Sequence, residues 1–135
     1  MKVKPKVVAV IDGDRSARCA IGRLLWHLGY DTELYASAKE FLDVAMTTEA
    51  ICLIVDIEVG DSCGSEFAQR LANVGFTRPT IVTTAHDNEA FKRRATDMGC
   101  VASVTKPLSA AAMLRALANI PSHPPLGSGS TVTRS

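Results

Sequence analysis

The chain has 135 residues, 47% hydrophobic and 21% charged, with Lys+Arg 15 against Asp+Glu 14 and a formal net charge of +1. That length builds one domain with a real core rather than two. The near-zero charge speaks against a nucleic-acid binder held by bulk electrostatics, and no apolar run approaches a membrane span. The short apolar run after Met1–Lys6 ends at Asp12 with no small-residue cleavage site, so it does not read as a signal peptide. The expected setting is the cytoplasm, with no membrane partner and no direct nucleic-acid binding.

Val7 to Ile11 is a continuous, β-branched apolar run, the pattern of a strand buried on both faces of a parallel sheet. A helix follows, with Ala17, Ala20, Ile21, Leu24, Leu25 and Leu28 on one face and Gly29 where a C-terminal cap belongs. Thr32 to Tyr35 reads as a short strand. Ser37-Ala38-Lys39-Glu40 is a capping box that starts a second helix carrying Phe41, Leu42 and Ala45. Ile51 to Val55 is the third strand, ending at Asp56. A polar loop, Glu58 to Gly64, leads to a helix with Phe67, Leu71 and Val74 inward and Gly75 after it. Pro79 introduces a fourth strand, Thr80 to Thr84. A polar helix spans about Asn88 to Met98 and closes at Gly99. Val101 to Val104 is a weaker fifth strand, Lys106-Pro107 a turn, and Ser109 the cap of a last helix with Met113, Leu114, Leu117 and Ile120. The tail, residues 121–135, is rich in Pro, Gly, Ser and Thr and reads as a flexible tail or linker.

Strands alternating with helices at this spacing predict an α/β fold: a doubly wound five-stranded parallel sheet with five helices, (βα)5 and flavodoxin-like. Cys19, Cys52, Cys63 and Cys100 form no C-x-x-C pair, and His27, His86 and His123 do not complete a zinc set, so reduced thiols in or near a core are expected. Cys63 has no visible base partner, and a catalytic thiol is not expected.

Ligands of such folds sit outside the carboxyl ends of the strands. The polar residues there are Asp12 and Asp14, Asp56 and Glu58, Thr84 and His86, and Lys106. Carboxylates from two strand ends can converge on one hard divalent cation that keeps several waters. A hydroxyl and an ammonium from two others can hold phosphoryl oxygens, and a carboxylate beside the metal can accept the phosphoryl group as an acylphosphate. His86 reads as an exposed loop histidine, and Asp14 as the cap of the first helix or a further candidate ligand.

At this point the sequence resembles a family, the receiver domains of bacterial two-component response regulators (CheY-like), over about residues 5 to 120. The marks are Ile11-Asp12-Gly13-Asp14 after the first strand, Asp56 with Gly64 eight residues on, Thr84-Ala85 after the fourth strand, and Lys106-Pro107 after the fifth. Ser37-Ala38-Lys39-Glu40-Phe41-Leu42 looks like the FixJ/NarL-like branch. The resemblance implies a receiver domain over 1–120 whose Asp56 takes a phosphoryl group from a sensor histidine kinase in a Mg²⁺-dependent reaction. Asp12, Asp56 and the backbone carbonyl of Glu58 would bind the metal, with Asp14 as the further candidate. Thr84 and Lys106 would contact the phosphoryl group and switch a protein-interaction surface. It implies a phosphoprotein rather than a turnover enzyme. Its output would be a downstream effector protein, or a C-terminal output domain absent from this chain. Whether phosphorylation also drives homodimerisation is left open.

Three departures stand out. Gly13 replaces the second of the family's paired acids, which predicts weakened Mg²⁺ affinity. Ser103 stands where an aromatic ring is common, three residues before the lysine. Gly60 replaces a frequent proline, and Glu58 places a carboxylate near Asp56. Gly13 and Ser103 support an alternative, a pseudo-receiver that binds partners without phosphorylation. Asp12-Gly13-Asp14 also resembles the D-x-D turn of haloacid-dehalogenase-type phosphatases, but no Asp or Glu follows Asp97 to supply that family's later acidic cluster. Neither G-x-G-x-x-G nor G-x-x-x-x-G-K-[ST] follows the first strand, which sets aside Rossmann and P-loop nucleotide binders.

Overall fold

The computed structural model describes residues 5–58, 64–86 and 88–120. Gly60, Cys63, His123 and the predicted tail lie outside the described residues. The elements run β1 (Val7–Ile11), α1 (Arg15–His27), β2 (Asp31–Tyr35), α2 (Ala38–Leu42), β3 (Cys52–Asp56), α3 (Gly64–Asn73), β4 (Thr80–Thr84), α4 (Glu89–Asp97), β5 (Ala102–Thr105) and α5 (Ala110–Ala118). All strand pairs are parallel, in the order β2-β1-β3-β4-β5. This is the expected doubly wound α/β sheet, with β1 as the strand where the winding reverses.

Strand alternation divides the core in two. Ala9, Ile11, Leu53, Val55 and Val82 pack with Phe41, Phe67, Leu71 and Ala95, on the side of α2, α3 and α4. Val8, Val10, Cys52, Ile54, Ile81 and Val104 pack with Ile21 and Leu25 of α1 and Met113, Ala116 and Leu117 of α5. β1, β3 and β4 are covered on both faces, which is why β1 and most of β3 read as unbroken apolar runs and β4 as a wholly β-branched one. Each fully buried Leu, Ile or Phe contributes roughly 1.5–3 kcal/mol.

The helix ends follow local chemistry. The side chains of Asp14, Ser37, Asn88 and Ser109 each accept a backbone N–H of the first turn, worth about 1 kcal/mol apiece. After α1 and α3 the chain turns through Gly29 and Gly75, with φ of 96° and 82°, a region that a side chain would strain.

Several expectations need correction. The second helix stops at Leu42, because Val44 and Thr47 bond to carbonyls three residues back and the chain continues in tight turns. Ala45 is still buried at the end of that path. The Ser37 capping box forms by half: Ser37 Oγ accepts the Glu40 N–H at 3.2 Å, but Glu40 Oε1 accepts from Ala36 rather than Ser37. β3 and β5 each sit one residue later than predicted. On α1, Ala20 is exposed and Gly22 is buried. On α5, Leu114 faces solvent and Ala116 takes the inner place. Cys52 is buried, but Cys19 is an exposed thiol on the outer side of α1, against the expectation of a core cysteine.

Candidate functional site

Asp12 follows β1 and Asp56 ends β3, and these two strands are neighbours, so their carboxylates emerge side by side at the carboxyl edge of the sheet. Lys106 arrives from the end of β5. Its Nζ donates to Asp12 Oδ2 at 2.7 Å and to Asp56 Oδ2 at 2.6 Å. Asp12 is 1% exposed and Asp56 9%. Two carboxylates so deeply placed would repel without the ammonium between them. Burial alone would push the Lys106 ammonium toward losing its proton, but the bonds to Asp12 and Asp56 outweigh it and raise its pKa.

The other oxygens are held by the backbone. Asp12 Oδ1 accepts the Asp14 N–H at 2.9 Å, and Asp56 Oδ1 accepts the Glu58 N–H at 2.8 Å. Each carboxylate is thus fixed at both ends, and the pair with one ammonium carries one net negative charge. Arg18, on the first turn of α1, donates to the Asp12 carbonyl oxygen at 2.8 Å. Sequence reasoning missed Arg18; its signal was its place one helical turn after Asp14.

The remaining predicted residues lie around this centre. Asp14 Oδ1 accepts the Ser16 N–H at 3.1 Å, so that carboxylate caps α1. The Glu58 side chain is on the rim, with Oε2 4.0 Å from His86 Nε2. Thr84 is not bonded to the carboxylates. Its hydroxyl donates to the His86 carbonyl at 2.9 Å and accepts the His86 N–H at 3.0 Å. His86 is exposed, as expected, and stacks on Phe91. Thr83, paired in register with Asp56, is fully buried with its Oγ1 unbonded. The sequence carried no sign of it, because Thr83 is one of three threonines in β4 and nothing in the pattern sets it apart from Thr80 and Thr84.

The donor set suits a hard cation: two carboxylates at neighbouring strand ends, all oxygen. Among the described residues no group of three or more His, Cys, Asp or Glu is disposed to hold a metal. Beside Lys106 a groove of about 510 Å³ runs between α1 and the start of α5, lined by Ala17, Ala20, Leu24, Pro107 and Leu108. Among the described residues no helix is long and apolar enough to cross a membrane.

A family model for the response regulator receiver domain matches residues 8–118. This chain belongs to that family. It is 28% identical over 100 residues to the transcriptional regulatory protein TdiR of Thauera aromatica, a match covering 74% of this chain and 44% of that protein. In structure it is similar to FixJ-N, with a TM-score of 0.75 at 23% identity over 87% of this chain and 94% of that one. It is also similar to chemotaxis protein CheY4 of Vibrio cholerae, with a TM-score of 0.75 at 22% identity over 87% of this chain and 100% of that one. The chain spans about half the length of the curated relatives it matches. It is therefore a receiver domain of two-component signal transduction, with the CheY-like fold, and receiver domains are not in general turnover enzymes.

Proposed function

We propose that this receiver takes a phosphoryl group from the phosphohistidine of a sensor histidine kinase onto Asp56. The observation that supports it most is the Lys106 ammonium bridging Asp12 and Asp56 at 2.7 and 2.6 Å at the mouth of the sheet. In the reaction an Asp56 oxygen bonds to phosphorus, the phosphorus–nitrogen bond breaks, and the departing imidazole keeps the electron pair and takes a proton from water. Both Asp56 oxygens are engaged at rest, Oδ1 by the Glu58 N–H and Oδ2 by the Lys106 ammonium, so the attacking oxygen must first give up its partner. Lys106 then follows the new charge onto a phosphoryl oxygen, and Thr84 turns its hydroxyl to another.

Asp12, Asp56 and the Glu58 carbonyl would hold Mg²⁺, and Asp14 remains the cap of α1. The cation, when bound, offsets repulsion between the Asp56 carboxylate and the anionic donor. The donor's own surface would lie along the apolar groove beside Lys106, whose ammonium is bonded to Asp56. The phosphorylated form signals by shifting a two-state equilibrium toward a surface that an effector protein or output domain reads, in the cytoplasm.

Acetyl phosphate with Mg²⁺, read by intact mass, tests the reading. The native chain should gain one phosphoryl group and Asp56→Asn none. An adduct that survives in Asp56→Asn moves the acceptor elsewhere. No adduct on the native chain at generous Mg²⁺ leaves the pseudo-receiver.

A further inference from the structure

On the α4 side of the site, one helix grips both loops that carry the chemistry. The Thr84 hydroxyl is engaged twice by the backbone of His86. The His86 ring stacks on Phe91, with centroids 5.0 Å apart and planes 19° apart. Arg94, one turn further along α4, sets its guanidinium carbon 5.4 Å from the Phe91 centroid. Its Nη2 donates to the Ile57 carbonyl oxygen at 3.3 Å. Ile57 and Glu58 directly follow Asp56, and Glu58 Oε2 lies 4.0 Å from His86 Nε2. The contacts run from Asp56's loop through Arg94, Phe91 and His86 to Thr84.

A threonine hydroxyl has one proton. While Thr84 donates it to the His86 carbonyl, it cannot donate it to a phosphoryl oxygen. We propose that Phe91 and Arg94 are positioning residues that hold Thr84 in its resting bonds, so that occupation of Asp56 must undo the His86–Phe91–Arg94 stack and loosen α4. This rests on the reading that Thr84 turns to a phosphoryl group on Asp56. It gives the signal a route through α4. β5 offers no ring at the matching place, because its Ser103 is a small, exposed side chain. Coupling of this kind is reciprocal: whatever weakens the stack favours the occupied arrangement.

Beryllofluoride with Mg²⁺, a phosphoryl mimic, is the probe. Amide shifts of Ile57 and Thr84 give its affinity, and hydrogen exchange gives the state of α4. In the native chain, binding should speed exchange along α4. Arg94→Met, which keeps the aliphatic stem and the helix propensity, should bind several-fold tighter, and its unliganded α4 should already exchange faster. Phe91→Ala should tighten binding further; if it does not fold, Arg94→Met decides. A merely structural role would leave affinity unchanged or weaken it, and either result in Arg94→Met overturns the proposal while the Asp56 reading stands. A native chain that takes no beryllofluoride overturns both.

Discussion

Gly13 is exposed beside the buried Asp12, and a Cβ built on it would meet only the Ala36 carbonyl oxygen, at 3.9 Å. Its φ is not among the positive values that make a side chain costly. Nothing steric therefore keeps an acid out of this position, and Gly13→Asp should restore a carboxylate at the site. A unit charge roughly 4 Å from a monovalent partner is worth about 4 kcal/mol at an effective dielectric of 20, before desolvation is subtracted. Even a third of that tightens Mg²⁺ binding roughly tenfold. Without the metal the variant should be less stable than the native chain, because the added carboxylate repels those of Asp12 and Asp14, and Mg²⁺ should recover the loss. Isothermal titration with Mg²⁺ checks the first point and urea unfolding with and without Mg²⁺ the second. An affinity equal to that of the native chain would show that position 13 is not what limits the site.

Gly22 lies buried in the middle of α1, and its absent Cβ would sit 3.3 Å from both terminal carbons of Leu34 on the edge strand β2. Glycine inside a helix costs about 1 kcal/mol relative to alanine. The neighbour in the way is the end of a flexible side chain that is itself 41% exposed, so it can shift outward. Gly22→Ala should therefore stabilise the chain by about 0.5 kcal/mol, once the displacement of Leu34 is subtracted. A lower urea midpoint for the variant would mean that α1 and β2 are locked more tightly than the exposure of Leu34 implies. The same helix shows what a sequence pattern conveys and what it leaves out. Its apolar residues were legible, but they cover more than the core: Leu25 packs only inward, Ile21 and Leu24 meet both the core and the groove beside Lys106, and Ala17 and Ala20 line that groove. Periodicity registers apolarity, and it does not say which apolar stripe meets another element. The strands were plainer: β1 and β3 up to Val55 are unbroken apolar runs buried on both faces, and β4, though three of its five residues are threonine, is β-branched throughout and marked by Pro79 before it. Asp12, Asp56 and Lys106 were legible as strand-end residues, and the structure brings them together although Lys106 and Asp12 are 94 residues apart. The Arg94 bond to Ile57 was not, because it joins a helix side chain to a backbone carbonyl 37 residues away and leaves no periodic trace.

Across the whole molecule, the shifted titrations point the same way. Burial pushes the Cys52 thiol up to about 12 from 9.0. Burial, with the hydrogen bond to Glu33, pushes the Tyr35 phenol up to about 12 from 10.0. Burial also raises Cys100 from 9.0. For Lys106, burial acts downward, but the bonds to Asp12 and Asp56 prevail and its pKa rises from 10.5. These groups sit on β3, β2, the turn before β5 and the turn after it, so no single element accounts for the effect. Each holds its proton more tightly in the fold than in the unfolded chain. Below about pH 8 all four are almost wholly protonated in both states and add no slope. As pH rises from about 8 toward about 12, the native state binds more protons than the unfolded state, so stability falls. The urea midpoint should stay level, as far as these groups decide it, up to about pH 8 and then drop steadily. Cys52→Ala makes a small cavity, which lowers the midpoint at every pH, but it also removes the thiol that burial raises from 9.0 to about 12. Its curve should therefore be flatter than that of the native chain above about pH 9. A native midpoint that is the same at about pH 8 and about pH 11 would contradict the assignment, and an equal slope in Cys52→Ala would remove Cys52 from it.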